Sequence, residues 1–298
     1  MRMDRRTLLK GIVTAGAAGA AAGASGGLAM ASSVRRQAPA DAVGLLYDAT
    51  KCIGCKTCVV ACREANGLPP ERSADGLYDA PQDLSSGTKN IIKLCRDGSE
   101  VSFMKAQCMH CVDPACAAAC MLGALQKREF GIVSWDGSRC VGCRYCQTAC
   151  PYNVPKFEWY AKNPKIVKCE LCRHLLAEGG MPACAKVCPA QAVIFGKRDE
   201  LLAEAKRRIA DEPDRYVPRV YGEDDGGGTQ VLYISHVPFE KLGLPDLGPE
   251  PVPTTARTVQ HSVYKGFIAP VALYAVLGAV LLRNRRHPSD ETEEEAAS

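Results

Sequence analysis

Sixteen of the seventeen cysteines in this 298-residue chain fall into four groups of four, and no other feature restricts the possible folds as tightly. The groups are Cys52, Cys55, Cys58 and Cys62; Cys108, Cys111, Cys116 and Cys120; Cys140, Cys143, Cys146 and Cys150; and Cys169, Cys172, Cys184 and Cys188, with Cys95 left over. Every group opens with C-x2-C and closes with C-x3-C, so only the middle spacing varies. Only 6% of residues are aromatic, so aromatic packing alone does not organise the core. The net charge of +4 lacks the basic excess of a nucleic-acid binder.

Groups one and three carry the C-x2-C-x2-C-x3-C run of bacterial ferredoxins, and Pro151 follows the third as it does in that run. Three closely spaced thiolates on a tight loop can wrap three corners of a cubane. The fourth, carried off on the next helical turn, reaches a different cluster. Three other uses of cysteine compete. Disulfides suit an exported cysteine-rich chain, but seventeen is odd and this chain is far longer than the usual stapled scaffold. Zinc uses C-x2-C pairs, yet four zinc sites each closing with C-x3-C would be unusual. A c-type haem needs C-x-x-C-H, and no C-x-x-C here is followed by His. Iron–sulfur clusters are the remaining chemistry.

An internal repeat agrees. DATKCIGCKTCVVAC (48–62) realigns with DGSRCVGCRYCQTAC (136–150), and PACAAAC (114–120) with PACAKVC (182–188). Two kinds of half-site therefore alternate along the chain, each followed by a short strand-like segment such as Gly131–Trp135 or Ala192–Phe195. Spacing leaves their pairing open. A nested arrangement (two with three, one with four) competes with sequential pairing.

Four such groups, with the segments LLYDATKCIGC, QCMHCVDPAC, GCRYCQTACPYNVPK, CPAQAVIFGKRDELLAEAKRRI and YGEDDGGGTQVLYI, resemble the four-cluster iron–sulfur subunits of membrane-bound respiratory oxidoreductases, above all the branch serving hydrogenases of the second type. The resemblance covers roughly residues 43–285. It implies an α+β fold of two nested ferredoxin-like units with loop insertions, and four [4Fe–4S] clusters as cofactors. Cys52, Cys55 and Cys58 would bind one cluster with Cys188; Cys169, Cys172 and Cys184 a second with Cys62. Cys108, Cys111 and Cys116 would take Cys150, and Cys140, Cys143 and Cys146 would take Cys120. Implied partners are the small and large subunits of a nickel–iron hydrogenase and an integral membrane quinone-reactive subunit at the inner membrane. The alternative is the beta subunit of a formate dehydrogenase or related molybdopterin oxidoreductase. No nucleophile–base pair, carboxylate pair or phosphate loop is found, which points to an electron conductor without a substrate site of its own.

The ends add expectations about location. Arg5 and Arg6 precede an uncharged, Ala- and Gly-rich stretch, Gly11–Val34, and Ala29-Met30-Ala31 suits a cleavage site, so residues 1–31 read as a twin-arginine leader. Gly266–Leu282 is an uncharged run of 17 residues between Lys265 and Arg283, which reads as a single C-terminal transmembrane helix. Together they predict a body on the periplasmic side of the inner membrane. The expected order is leader 1–31, first group and insertion 32–107, inner ferredoxin unit 108–151, fourth group with its extension 152–262, anchor 263–285 and acidic cytoplasmic tail 286–298.

Smaller features carry less. Lys51, Lys56, Arg139, Arg144, Lys168 and Arg173 lie beside ligand cysteines, where they could tune potentials. Asp199–Asp211 reads as a helix capped by Asp199, with Leu201, Leu202, Ala205 and Ile209 on one face. Gly226–Gly228 reads as a turn before a strand. His110 is expected to form a hydrogen bond rather than to ligate, and Cys95 to be a free structural thiol. Metal analysis of the anaerobically purified chain is predicted to give about sixteen irons and negligible zinc, with a visible absorption that bleaches on dithionite. A colourless, iron-free preparation would contradict it.

Overall fold

The computed structural model describes residues 36–70, 78–254, 270–271 and 273–283, all within the unit Arg35–Ser298. The strands are β1 (Val43–Asp48), β2 (Asn90–Asp97), β3 (Glu100–Gln107), β4 (Leu125–Lys127), β5 (Val133–Trp135), β6 (Lys156–Phe157), β7 (Ile166–Val167), β8 (Val193–Lys197) and β9 (Val231–Ile234). The helices are α1 (Thr57–Ala65), α2 (Ala115–Ala118), α3 (Tyr145–Ala149), α4 (Arg173–Ala177), α5 (Ala183–Lys186) and α6 (Arg198–Asp211). This is the expected α+β composition, built from small sheets.

The sheets show how the repeat folds. β1, which leads into the first cysteine group, pairs antiparallel with β8, which follows the fourth, in register from Val43↔Lys197 to Tyr47↔Val193. Inside that frame β4, following the second group, pairs antiparallel with β5, which precedes the third. The helices match: α1 packs against α5, and α2 against α3. First is thus set beside fourth and second beside third.

β9 adds to β1 in parallel, giving the order β8-β1-β9. The run Leu45-Leu46-Tyr47 is apolar throughout because both faces of this sheet are covered, as parallel pairing generally requires. Leu45, Tyr47, Val231 and Tyr233 face the cysteine-rich core. Leu46, Leu232 and Ile234 face the opposite way, onto Leu201 and Ala205 of α6. Leu202 and Ile209 pack at the edge of that second cluster, so the anticipated helix face is the buried one. Its start differs. Lys197 is the N-cap, and Asp199 lies inside the first turn, where its charge suits the helix dipole without capping. The three glycines form the expected turn, with Asp225–Gly227 in a single 3-10 turn before β9.

The insertion between the first two groups is a long hairpin, β2–β3, paired from Asn90↔Gln107 to Asp97↔Glu100. It is tied back by Tyr47, whose hydroxyl donates to the Phe103 carbonyl (2.6 Å), and by Tyr233, which donates to that of Lys105 (2.7 Å).

The expected transmembrane helix is not borne out. Among the described residues no helix is long and apolar enough to cross a membrane. Residues 270–271 and 273–283 are helical. The single-anchor placement on the periplasmic side of the inner membrane falls with that helix. The expected leader, residues 1–31, and the tail, 286–298, lie outside the described residues.

Gly44 shows how closely β1 and β9 approach: a Cβ there would sit 1.9 Å from the Gln230 carbonyl oxygen. Gly44→Ala is predicted to destabilise the fold by about 1–3 kcal/mol. Gly87→Ala, whose Cβ would meet only the Ser85 hydroxyl at 3.7 Å, should be near neutral. Denaturant melts followed by circular dichroism check this, and equal midpoints for both would contradict it.

Candidate iron–sulfur sites

All sixteen grouped cysteines are free thiols. In each group the residue before the second cysteine is left-handed: Gly54 (φ 69°), His110 (48°), Gly142 (70°) and Leu171 (49°). Three residues after the last cysteine the backbone repeats this at Gly123, Asn153 and Gln191. Left-handed residues at matched positions turn successive N–H groups to one side of a loop, making a concavity that holds anions. Two such donors already reach sulfur: Leu171 N–H to Cys169 Sγ (3.4 Å) and Ala124 N–H to Cys120 Sγ (3.1 Å).

The sulfurs gather into four sets. Cys52, Cys55, Cys58 and Cys188 line one cavity. Cys120, Cys140, Cys143 and Cys146 line another, walled by Leu125, Trp135 and Ile166. The Asn66 side-chain amide donates to both Cys62 Sγ (3.6 Å) and Cys172 Sγ (3.9 Å), and Cys169 and Cys184 act electrostatically on Cys62 or are acted on by it. Cys111 feels Cys108, Cys116 and Cys150. The sets also adjoin in sequence: Cys58 feels Cys184, Cys169 feels Cys108, and Cys116 feels Cys146. That linear order runs from the exposed Cys55 to the exposed Cys143, with the two middle sets largely buried. Cys95 joins none of them; its thiol donates to the Leu242 carbonyl (3.6 Å).

Among the described residues no three His, Cys, Asp or Glu groups converge on a point that could hold a single metal ion. In the two sets that line a cavity, four sulfurs around an open space fit a multi-iron core. Burial pushes the Cys58 and Cys116 thiols up to about 12 and those of Cys62 and Cys146 up to about 11. Cys169 and Cys111 also rise, again chiefly by burial. Such groups become thiolates only when a cation replaces the proton.

Positive charge is built in. Lys105 and Lys168 are both buried, at 1% and 2% exposure. Lys168 Nζ donates to the Val133 and Cys169 carbonyls, and its charge opposes the upward shift at Cys116. Lys127 Nζ donates to the Cys111 carbonyl (3.0 Å), and burial lowers its pKa to about 8. Of the six basic residues singled out beside cysteines, Lys168 is buried, Lys56 lines the cavity of Cys52, Cys55, Cys58 and Cys188, and Arg139 and Arg144 line that of Cys120, Cys140, Cys143 and Cys146. Lys51 is half-buried. Lys56 is half-buried and donates to the Asp79 carbonyl, while the exposed Arg139, Arg144 and Arg173 also engage Asp136, the rings of Phe157 and Trp159, and Glu129 respectively. His110 does form a hydrogen bond, its Nδ1 accepting from Val133 N–H (3.1 Å). Burial, with Lys168 and Lys127 nearby, holds it neutral.

A family model described as a 4Fe-4S dicluster domain matches residues 99–198. Hydrogenase-2 operon protein HybA of Escherichia coli O157:H7 is 38% identical over 96% of this chain and 97% of its own length. The chain belongs to the iron–sulfur subunits of respiratory oxidoreductases. In this family stand also the nitrate-inducible formate dehydrogenase iron–sulfur subunit of Escherichia coli strain K12, 35% identical over 77% of this chain and 79% of its own, and the formate dehydrogenase iron–sulfur subunit of Haemophilus influenzae, 33% identical over 80% and 78%. As one of these subunits, the chain carries [4Fe–4S] clusters and transfers electrons.

Sequence reasoning missed Lys105, Lys127 and Asn66. A signal existed for Lys105, a lone cation among Phe103, Met104 and Ala106 in a strand. Asn66 had none, since its role depends on bringing Cys172 next to the end of α1.

In chain stripped of iron and kept reduced, iodoacetamide at pH 8 is predicted to label the exposed Cys55 and Cys143 well before Cys58, Cys62 and Cys116. Labelling of the buried three should rise as pH approaches their raised pKa values. Iron loading, which displaces their protons, should likewise be favoured by higher pH. Uniform labelling in the mass spectrum would contradict this.

Proposed function

We propose that the chain is the four-cluster electron relay between the small and large subunits of a nickel–iron hydrogenase and an integral membrane quinone-reactive subunit. Its own residues hold the clusters and it has no substrate site. The ligand sets would be Cys52, Cys55, Cys58 and Cys188; Cys62, Cys169, Cys172 and Cys184; Cys108, Cys111, Cys116 and Cys150; and Cys120, Cys140, Cys143 and Cys146.

The observation carrying this reading is the linear order of the four sets, exposed at its two ends and covered between them. A [4Fe–4S] cluster takes up and releases one electron at a time. The protein's part is to space four of them along one path, exclude water from the middle and leave each end open to a partner. Apolar side chains skirt both openings: Ile53 and Val60 beside Cys55, and Met121, Val141 and Tyr145 beside Cys143. Such surfaces suit docking partners.

The hydrogenase assignment rests on coverage. The HybA likeness spans 96% of the chain, whereas the K12 formate dehydrogenase subunit is matched over 77%. The complex purified with its native partners is predicted to have its clusters reduced by hydrogen and not by formate, read as bleaching of the visible absorption. Reduction by formate alone would overturn the choice of partner.

A further inference from the structure

Lys105 is set where few lysines are found. It lies on β3, directly opposite Ile92 on β2, so the two side chains share one face of the hairpin. Ile92 lines the cavity of Cys52, Cys55, Cys58 and Cys188, which directs this face at the first set. The hairpin is fastened there, since Asn90 Nδ2 donates to the Cys58 carbonyl (3.2 Å) and Tyr233 holds the carbonyl of Lys105 itself. At 1% exposure the ammonium has no access to water, and its hydrogen-bond partner is the neutral Gln107 side chain. Among the described residues it forms no ion pair with a carboxylate.

A buried charge without a counter-charge is costly enough to neutralise the group or exclude it from a core. The groups surrounding Lys105 are sulfurs. Cys58 of the first set and Cys62, Cys169 and Cys184 of the second lie close enough to act on it electrostatically. These are the two sets formed jointly by the first and fourth cysteine groups.

Resting on the four-cluster reading, we propose that Lys105 is the fixed counter-charge shared by the two clusters of the outer ferredoxin unit, raising the reduction potential of both. With its thiolates each oxidised cluster carries about −2, and taking up an electron adds another negative charge. A fixed cation between two such centres favours the reduced form of each and weakens the repulsion between them. Low local polarity makes the effect large, because no water screens it. Lys105 would act through its charge, as a neighbour of the ligands and not as one of them. The inner pair has its own cations, the buried Lys168 and the half-buried Lys127, so its potentials should not depend on Lys105.

Redox titration of the purified complex, followed by electron paramagnetic resonance, tests this with Lys105→Met, Lys105→Gln and Lys105→Arg. In the Met and Gln variants two of the four midpoints should move to more negative potential while two stay, and in Lys105→Arg all four should remain near wild type. Unmoved midpoints, or an equal shift in all four, would overturn the proposal. Should the neutral variants fail to keep iron, a full complement in Lys105→Arg supports the need for charge, and equal loss in all three variants overturns it. Fewer than four clusters in the wild-type complex would defeat the four-cluster reading itself, whatever the variants do.

Discussion

Negative charge carried into a protein interior must be met there by partners that water can no longer supply, and this requirement accounts for most of what is unusual in the structure. Sulfurs pushed up to about 11 or 12 by burial are stable as thiolates only around cations. Iron provides the nearest ones. The protein provides the next: backbone N–H groups turned inward by left-handed residues, the Asn66 amide shared between Cys62 and Cys172, and the ammonium groups of Lys105, Lys127 and Lys168. A core with few aromatic residues can be ordered this way because each cluster would tie segments distant in sequence.

The same logic explains the topology. When the fourth cysteine of a run serves a different cluster from the first three, every pair of half-sites is crosslinked twice. The strands beside those half-sites are then drawn together, β1 with β8 and β4 with β5. The β2–β3 hairpin and the β9 segment are additions to that frame. One brings Lys105 to the outer unit, and the other covers the edge of β1 and buries Tyr233 against Tyr47, with ring centroids 5.3 Å apart.

Much of this could be read from residue order, for identifiable reasons. Cysteine spacing is a local property, and so are the glycines at 54 and 142 that permit left-handed backbone inside a C-x2-C. His110 and Leu171 occupy the same conformation without a sequence sign, held by burial at 0% and 1% exposure. Proximity in sequence served for the basic residues at Lys56, Arg139, Arg144 and Lys168, which do reach the cysteine sites, whereas Arg173 turns to Glu129 instead. Lys105 comes from a strand outside all four groups and acts through a contact that only folding creates. The C-terminal apolar run was judged by its composition. Among the described residues no helix there is long and apolar enough to cross a membrane.

The central claim is that four inorganic clusters, each gripped by three cysteines of one group and one of another, form a single row through the chain. Anomalous diffraction at the iron absorption edge, from crystals of the anaerobically purified protein, tests it most directly. Four compact iron peaks in line, the outermost near Cys55 and Cys143, are the result expected. Fewer peaks, single-atom peaks, or a sulfur grouping in which each run of four cysteines encloses its own cluster would contradict it.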